Sequence, residues 1–139
     1  MRLGGKDVLV KPHTLASFLF ADERPATSPA EQPFTVRRRF RHRYEVDPRY
    51  IETFENHGLI FSGRHPDQPI MQILELPRAQ HPFFLGAQFH PELTSRPLHP
   101  SPMFMGLVAA AIRHAYPSVA PREVSSRWIP LPQAEKAAI

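Results

Sequence analysis

The stretch GAQFHPELTSRP, residues 86–97, joins an apolar segment to a loop in which a histidine and a carboxylate stand on either side of a proline. Pro91 disfavours the helical region for the residue before it, so His90 is expected to be extended. Side chains two residues apart in an extended chain point the same way, which would bring His90 and Glu92 together. That spacing suits a general base whose ring is oriented by a carboxylate, as in nucleophilic catalysis. The alternative is an ordinary surface histidine, since His-x-Glu also occurs by chance.

The segments around this stretch predict a layered α/β domain. Apolar periodicity and turn residues predict strands at 6–11, 34–46, 69–76 and 82–89, and helices at 14–20, 47–58 and 102–116. The last of these strands is apolar almost throughout, which is typical of a strand buried on both faces in a parallel sheet. Strands alternating with helices indicate stacked layers, although so few strands suggest part of a larger sheet.

Each predicted helix begins with a capping signal. The predicted N-caps are Thr14, Asp47 and Ser101, with Pro102 at the first position of the last helix and Gly58 after the end of the second. One side of the last helix repeats at helical spacing and predicts the face that packs on the core: Met103, Leu107, Ala110, Ala111 and His114.

Two segments are predicted to lie outside the packed elements. Residues 21–33 are rich in proline, alanine, serine and glutamate and have no apolar periodicity, so they predict a flexible surface loop. Residues 117–139 are predicted to form a loosely ordered tail. The 139 residues are enough for one domain at most.

Composition excludes several classes of site. The chain contains no cysteine, which rules out disulfides, thiolate metal sites and a cysteine nucleophile within these residues. It has no apolar run long enough to span a membrane, and its first residues lack a hydrophobic signal region, so a cytoplasmic location is expected.

The basic run VRRRFRHR, residues 36–43, allows two interpretations. Arginines interleaved with an aromatic residue could form a nucleic-acid surface. A solvated basic segment at the entry to a strand is the preferred interpretation, because runs of charge are usually surface features. We therefore expect no nucleic-acid partner.

The histidines do not indicate a metal site. Seven of the eight are scattered without the spacing of zinc ligands: His42, His57, His65, His81, His90, His99 and His114. There is no cysteine to complete a ligand set. We expect no metal or other cofactor in this chain.

The segment GAQFHPE closely resembles the His-Pro-Glu segment of class I glutamine amidotransferases. A narrower resemblance is to the cytidine triphosphate synthase family, and it covers residues 1–16 and 39–115. It is carried by these segments: MRLG at the start, RHRYEV (41–46), GLIFSG (58–63), ILELP (73–77), HPFF (81–84) and QFHPELTSRPLHPSPMFMG (88–106). The resemblance implies a flavodoxin-like three-layer α/β fold, of which residues 1–116 would be the C-terminal portion.

The resemblance also implies roles for single residues. His90 would be the base of a Cys-His-Glu triad that hydrolyses glutamine, and Glu92 would be the carboxylate that orients it. Arg43 matches a position that contacts bound glutamine in the family. Phe40 stands where the family usually has histidine, and residues 21–35 form an unrelated insertion.

The family's nucleophile-bearing half, its oxyanion-hole glycines and its synthetase domain would all lie upstream of the matched residues. The resemblance thus implies partners outside this chain: L-glutamine, the nucleophile-bearing half and the synthetase domain, in a homotetramer. ATP and Mg²⁺ would belong to the synthetase domain. This chain by itself is expected to be inactive, because no thiolate is present to form a glutamyl thioester. The alternatives are a remnant of another class I amidotransferase and a non-catalytic basic interaction module.

Overall fold

The computed structural model describes residues 1–117 and Trp128, and it is organised around a five-stranded sheet. The strand order is β2-β1-β3-β4-β5, and every pair of neighbours in it runs antiparallel. The strands are β1 (Arg2–Val10), β2 (Phe34–His42), β3 (Ile60–Arg64), β4 (Met71–Glu75) and β5 (Leu85–Ala87). Three helices complete the unit: α1 (Leu15–Leu19), α2 (Ile51–Asn56) and α3 (Pro102–Ala115).

The longest ladder joins β1 and β2 over their full length. Phe34, Val36 and Phe40 of β2 are buried, and Arg38, on the same side of the strand, is partly buried. The residues on the other side are exposed: Thr35, Arg37, Arg39 and Arg41. Val8 pairs with Val36, so two apolar side chains lie opposite each other on the buried face. This alternation fixes the register, because a slip of one residue would turn the arginines inward.

The sheet differs from the prediction in four places. β1, predicted at 6–11, begins earlier and spans Arg2–Val10. The apolar run 82–89 contains only the three-residue strand β5, whose residues are half-buried, so the predicted parallel strand buried on both faces is wrong. In the described part of the chain β5 pairs only with β4, so its other edge is unpaired there. β3 was not predicted as a strand, because Ser62 and Gly63 interrupt its short apolar pattern. The predicted strand 34–46 ends at His42, since residues 43–46 leave the ladder.

The start of α1 is fixed by two sets of hydrogen bonds. Thr14 is the N-cap, as predicted, and forms a capping box in which Thr14 and Ser17 each accept the other's backbone N–H. The carboxylate of Glu75, which is buried in β4, accepts the N–H groups of Leu15 at 2.7 Å and Ala16 at 3.1 Å. These bonds satisfy donors that a helix start leaves free and fasten α1 to the sheet.

The second predicted helix is confirmed in a shorter form. Asp47 accepts the N–H of Arg49 and caps a 3₁₀ turn, Pro48–Tyr50, which leads directly into α2. Gly58 has a φ of +90°, the left-handed conformation expected just after a helix end. Phe54 of α2 packs edge-on against Phe61 of β3, with ring centroids 6.2 Å apart.

The third predicted helix is confirmed, but its predicted core face is only partly right. Pro102 begins α3 and Ser101 is its N-cap residue, although the Ser101 hydroxyl makes no cap hydrogen bond. The face that packs on the rest of the chain consists of Met103, Gly106, Ala109 and Ala110. Leu107, Ala111 and His114 are exposed. The helical spacing of the apolar residues was predicted correctly. Because α3 has apolar residues on both sides, that spacing could not show which side faces the core.

The main hydrophobic core lies between the sheet and the helices α1 and α3. Its buried members are Val8, Val10, Ala16, Phe20, Phe34, Val36, Phe40, Ile73, Phe89 and Met103. Phe40, noted above as a departure from the family, packs edge-on against Phe89 with ring centroids 5.9 Å apart. At this position an aromatic ring therefore fills the core between β2 and the segment that leads to His90.

The predicted loop at 21–33 contains a 3₁₀ turn, Ala21–Glu23, and then a turn held by one arginine. The guanidinium of Arg24 donates to the carbonyls of Pro29 and Gln32 and lies 4.2 Å from the ring centre of Phe34. β2 begins at Phe34, so residues 34 and 35 of the predicted insertion lie in this strand. The tail predicted at 117–139 lies outside the described residues, except for residues 117 and 128.

Candidate active site

His90 is held at the edge of the core by the residue before it and by its own backbone. Phe89 is buried and packs against the rings of Phe20 and Phe40. The N–H of His90 donates to the carbonyl of Arg39 in β2 at 2.9 Å. The segment after β5 therefore places the backbone of His90 beside β2, the strand at the other end of the strand order.

The side chains of His90 and Glu92 are hydrogen-bonded. Nδ1 of His90 lies 2.7 Å from Oε1 of Glu92. Pro91 starts a 3₁₀ turn, Pro91–Leu93, and His90 precedes that turn with φ −109° and ψ 89°. His90 is thus outside the helical region, as predicted, but its backbone is not regularly extended. Glu92 reaches the ring through the 3₁₀ turn and not by strand alternation.

The pair is open to solvent on one side. The side chain of His90 is 34% exposed and that of Glu92 is 55% exposed. With Glu92 ionised, Nδ1–H donates to the carboxylate, which leaves Nε2 as the acceptor nitrogen. Among the described residues nothing is hydrogen-bonded to Nε2 of His90. The arrangement can accept a proton at Nε2 and stabilise the resulting imidazolium through Glu92.

The pKa of Glu92 is lowered from its ordinary value. The largest cause is a hydrogen bond from its own backbone N–H, followed by the hydrogen bond with His90 and the nearby charges of His90 and Arg41. The carboxylate is therefore ionised throughout the neutral range, as an orienting group must be.

Arg43 lies just after β2, on a segment that is tied to the approach to His90. Its side chain is exposed, and within residues 1–117 and 128 it forms no ion pair. The amide Nε2 of Gln88 donates to the carbonyl of the next residue, Tyr44, at 2.8 Å. The backbone next to Arg43 is thus hydrogen-bonded to Gln88, which lies two residues before His90 in the chain. Sequence analysis missed Gln88, because a contact between residues 44 positions apart leaves no local signal.

A second set of polar contacts holds the other end of this segment. Glu45 accepts two hydrogen bonds from the guanidinium of Arg2, at 2.7 and 3.2 Å, and lies 3.3 Å from Nε2 of His42. These contacts lower the pKa of Glu45, with the Arg2 hydrogen bond as the largest cause. His42 packs edge-on against Phe40, with ring centroids 5.6 Å apart. The polar contacts in the segment next to Arg43 are therefore those that Glu45 makes with Arg2 and His42, while Phe40 contributes ring packing.

The loop after Glu92 is held by its own hydrogen bonds. The hydroxyl of Ser95 accepts the N–H of Ser101, and Arg96 donates to the carbonyls of Leu93 and Ser95. A cleft of about 400 Å³ lies beside this loop and extends from Pro91 to Pro102 and Trp128. Ser95 and Arg96 therefore contribute hydrogen bonds that hold the conformation of this loop.

The remaining sequence features are placed as follows. Arg37, Arg39 and Arg41 alternate along the exposed side of β2, while Arg38 pairs with Glu23 at 2.5 Å and lies over the ring of Phe20. Within residues 1–117 and 128, no three metal-ligating side chains lie close enough to hold an ion. No helix in that part of the chain is both long and apolar enough to cross a bilayer.

Comparison with known proteins identifies the class of protein to which this chain belongs. Residues 12–110 match the family described as "Glutamine amidotransferase class-I". The chain belongs to the class I glutamine amidotransferase family, and the predicted α/β fold of that class is confirmed.

Within this family, the chain is similar to cytidine triphosphate (CTP) synthases. It is 46% identical to "CTP synthase" of Archaeoglobus fulgidus over 82% of this chain, and 52% identical to that of Natronomonas pharaonis over 78% of it. A solved structure, "Trypanosoma brucei CTPS - glutaminase domain with bound acivicin", superposes on 81% of this chain with a TM-score of 0.66 and 30% identity.

The chain corresponds to only part of these relatives. It covers 19% and 17% of the two curated CTP synthases and 40% of the trypanosomal glutaminase chain. It is therefore a portion of a CTP synthase-type glutamine amidotransferase domain, as the sequence resemblance predicted.

Proposed function

We propose that this chain supplies the base and the orienting carboxylate for glutamine hydrolysis in a CTP synthase. The observation that carries the proposal is the 2.7 Å contact between Nδ1 of His90 and Oε1 of Glu92, which leaves Nε2 available on an exposed side chain. A base held by a carboxylate through its other nitrogen is the pattern that activates a thiol or hydroxyl nucleophile.

In this reaction Nε2 of His90 removes the proton from the nucleophilic thiol. The thiolate attacks the side-chain amide carbon of glutamine, and the imidazolium then returns the proton to the departing ammonia. Glu92 keeps Nδ1–H directed at itself, so the ring stays in the tautomer that accepts a proton at Nε2. Arg43, exposed beside the anchored Tyr44 backbone, binds the α-carboxylate of glutamine as a cation.

The thiol is supplied from outside these residues, because the chain has no cysteine. A synthetase domain that uses ATP and Mg²⁺ would consume the ammonia to convert UTP to CTP. The described residues do not fit a Mg²⁺ site, since no three metal-ligating side chains are grouped. These whole-enzyme steps and the homotetramer rest on the resemblance to CTP synthases.

The experiment that tests the proposal uses a chimeric enzyme. Residues 1–116 of this chain replace the matched segment of the Archaeoglobus fulgidus CTP synthase, and CTP formation is measured with glutamine and, separately, with ammonia. The variant His90→Gln should lose glutamine-dependent synthesis and keep ammonia-dependent synthesis. Equal activity of the variant and the parent chimera with glutamine would overturn the assignment of His90.

A complementary expectation concerns the chain alone. The purified 139-residue polypeptide should release no ammonia from glutamine, because the thioester intermediate cannot form. Glutamine turnover by the isolated chain, undiminished in His90→Gln, would show a different chemistry.

A further inference from the structure

The side of the sheet on which α2 packs carries a cavity of about 330 Å³, lined by residues of β1, β3, β4 and α2. The apolar side chains that line it include Leu9, Ile51, Phe61 and Met71. Three charged side chains also border it: Lys11, Glu55 and Arg64. A mostly apolar cavity of this size with a few polar groups is typical of a small-molecule site. We call this cavity the α2 groove.

The local geometry of β3 turns Ser62 toward this groove. The pairing of β3 with β4 shifts register on both sides of Gly63, an irregularity of the kind that re-aims side chains next to binding sites. Gly63 faces the main core, because a Cβ on it would touch the side chain of Ile73, which is a core residue. Successive side chains of a strand point to opposite faces, so Ser62 points to the other side, where the groove lies.

The hydroxyl of Ser62 is buried without a hydrogen-bond partner. Ser62 is 0% exposed, and within the described residues its Oγ neither donates nor accepts a hydrogen bond. A buried hydroxyl in this condition costs free energy, so a ligand that supplies a partner is favoured at this position. The hydroxyl has a proton to donate, and an anionic oxygen is its strongest acceptor.

Two cations stand beside this hydroxyl on the same side of the sheet. The N–H of Lys11 donates to the carbonyl of Ser62 at 2.8 Å, and Arg64 pairs with Leu9 across the β1–β3 ladder. Lys11 is two residues after Leu9, and Arg64 is two residues after Ser62, so these side chains share one face. Lys11 and Arg64 are both exposed, and neither forms an ion pair in the part of the chain that the structure describes.

We propose that the α2 groove is a binding site for an apolar or aromatic monocarboxylate. The carboxylate lies between the Lys11 ammonium and the Arg64 guanidinium and accepts a hydrogen bond from Ser62 Oγ. A guanidinium suits a carboxylate because it can donate two parallel N–H bonds to it. The apolar body of the ligand packs against Leu9 and Met71. The site is separate from the His90–Glu92 pair, so the inference goes beyond the proposed function.

The charges of the groove select the class of ligand. Lys11 and Arg64 are two cations and Glu55 is one carboxylate, so the groove carries a net charge of +1. One carboxylate balances that charge, whereas a dianionic phosphate would bring excess negative charge next to Glu55. A neutral apolar molecule would leave the cations and the Ser62 hydroxyl without an acceptor. A zwitterion with a polar body, such as glutamine, would leave the apolar lining uncovered.

The test measures ligand binding to the full 139-residue chain by titration calorimetry. The probes are phenylacetate and hexanoate, one aromatic and one aliphatic monocarboxylate. Benzyl alcohol removes the charge, acetate removes the apolar body, and phenyl phosphate adds a negative charge. The groove is changed by Ser62→Ala, Lys11→Gln and Arg64→Gln. Lys6→Gln is the matched control, because Lys6 is an exposed lysine of β1 outside the groove.

We expect one-to-one binding of at least one monocarboxylate, at least fivefold tighter than binding of the three comparison compounds. The dissociation constant should rise at least fivefold in each groove variant and be unchanged in Lys6→Gln and in His90→Gln. Ser62→Ala removes only an unpartnered hydroxyl, so urea unfolding without ligand should show no loss of stability in that variant. Weaker binding by Ser62→Ala would then report the lost donor and not a damaged fold.

Several results would overturn the site. They are the absence of binding by both monocarboxylates, and affinities of the three groove variants equal to that of the parent. Equal binding of benzyl alcohol would show a purely apolar surface, equal binding of acetate would show charge attraction alone, and tighter binding of phenyl phosphate would contradict the carboxylate. Each of these outcomes leaves the role of His90 in glutamine hydrolysis untouched, because that role is tested in the chimeric enzyme.

Discussion

The side-chain amide of Gln88 donates a 2.8 Å hydrogen bond to the main-chain carbonyl of Tyr44, which lies 44 positions earlier in the chain. Gln88 is two residues before His90, and Tyr44 is the residue after Arg43. One hydrogen bond therefore couples the segment that carries the base to the segment that carries the proposed glutamine-binding cation. Its acceptor is a backbone atom, so the contact does not depend on the tyrosine ring.

Replacing Gln88 by leucine should weaken glutamine binding in the chimeric enzyme. Without the amide donor, the backbone beside Arg43 loses its anchor, and KM for glutamine should rise more than kcat falls. Loss of one such bond corresponds to about a threefold to tenfold effect. Tyr44→Phe is the control, because it keeps the accepting carbonyl. An equal rise in KM in both variants would show that the tyrosine side chain, and not the Gln88 bond, is responsible.

Replacing Glu92 by glutamine should leave the shape of the active-site pair nearly unchanged and remove its function. The amide can turn its NH₂ group toward His90 and favour the wrong tautomer, so kcat with glutamine should fall by about 10² to 10⁴. Synthesis with ammonia should be unaffected. A fall of less than threefold in the glutamine reaction would show that Glu92 does not orient the ring.

Replacing Glu75 by glutamine should destabilise the chain without touching the active-site pair. An amide offers one oxygen where the carboxylate accepts from both Leu15 and Ala16, so one buried N–H loses its acceptor, at a cost of about 1–3 kcal/mol. Urea unfolding followed by circular dichroism measures the loss. Glu55→Gln, on exposed α2, is the matched control and should change the unfolding free energy by less than about 0.5 kcal/mol.

Replacing Gly106 by alanine sets two effects against each other. Helix propensity alone favours alanine by about 1 kcal/mol. A Cβ at this position, however, would lie 2.6 Å from Cε2 of Phe83 and 2.9 Å from Cδ2 of Leu19, and such overpacking costs about 1–3 kcal/mol. We expect a net loss in the free energy of unfolding. Ala111→Gly, on the outer side of α3, calibrates the propensity effect, and a gain in stability in Gly106→Ala would contradict the observed packing.

The Arg2–Glu45 contact predicts a pH-dependent contribution to stability. Because folding lowers the pKa of Glu45 below its ordinary value of 4.5, the contribution is complete above pH 4.5 and is lost as the pH falls through the lower, folded value. Glu45→Gln should therefore lower the free energy of unfolding at pH 7 by about 0.5–1 kcal/mol and have no effect near pH 2. Glu52→Gln is the control on α2. A difference between Glu45→Gln and the parent that persists unchanged at pH 2 would refute the ion pair.

Much of the local structure could be predicted because its signals lie within a few residues. The capping box at Thr14, the cap at Asp47 and the left-handed Gly58 are each specified by two or three neighbouring side chains. The sheet was less predictable. The apolar run 82–89 was interpreted as a fully buried strand, yet β5 ends the described sheet, and the run owes part of its apolar character to Phe89, which fills the core beyond the strand.

The candidate site was partly predictable for the same reason. His90 and Glu92 are two residues apart, so their contact could be inferred before any fold was known. Gln88, by contrast, contacts a backbone carbonyl across the fold, and the carbonyl of Arg39 accepts from His90 across a similar separation. Neither contact depends on a side-chain pattern in the sequence, so only the folded chain shows them.

The arginines of β2 have a consequence for the behaviour of the chain in solution. β2 is the end strand of the described sheet, and its outer edge is only partly covered, by the hydrogen bond from the N–H of His90 to the carbonyl of Arg39. An uncovered strand edge is a template for self-pairing and fibril growth. Arg39 and Arg41 place positive charge along the exposed side of this strand, while Arg37 is paired with Asp7. We therefore expect charge repulsion to oppose the pairing of two β2 edges in solution.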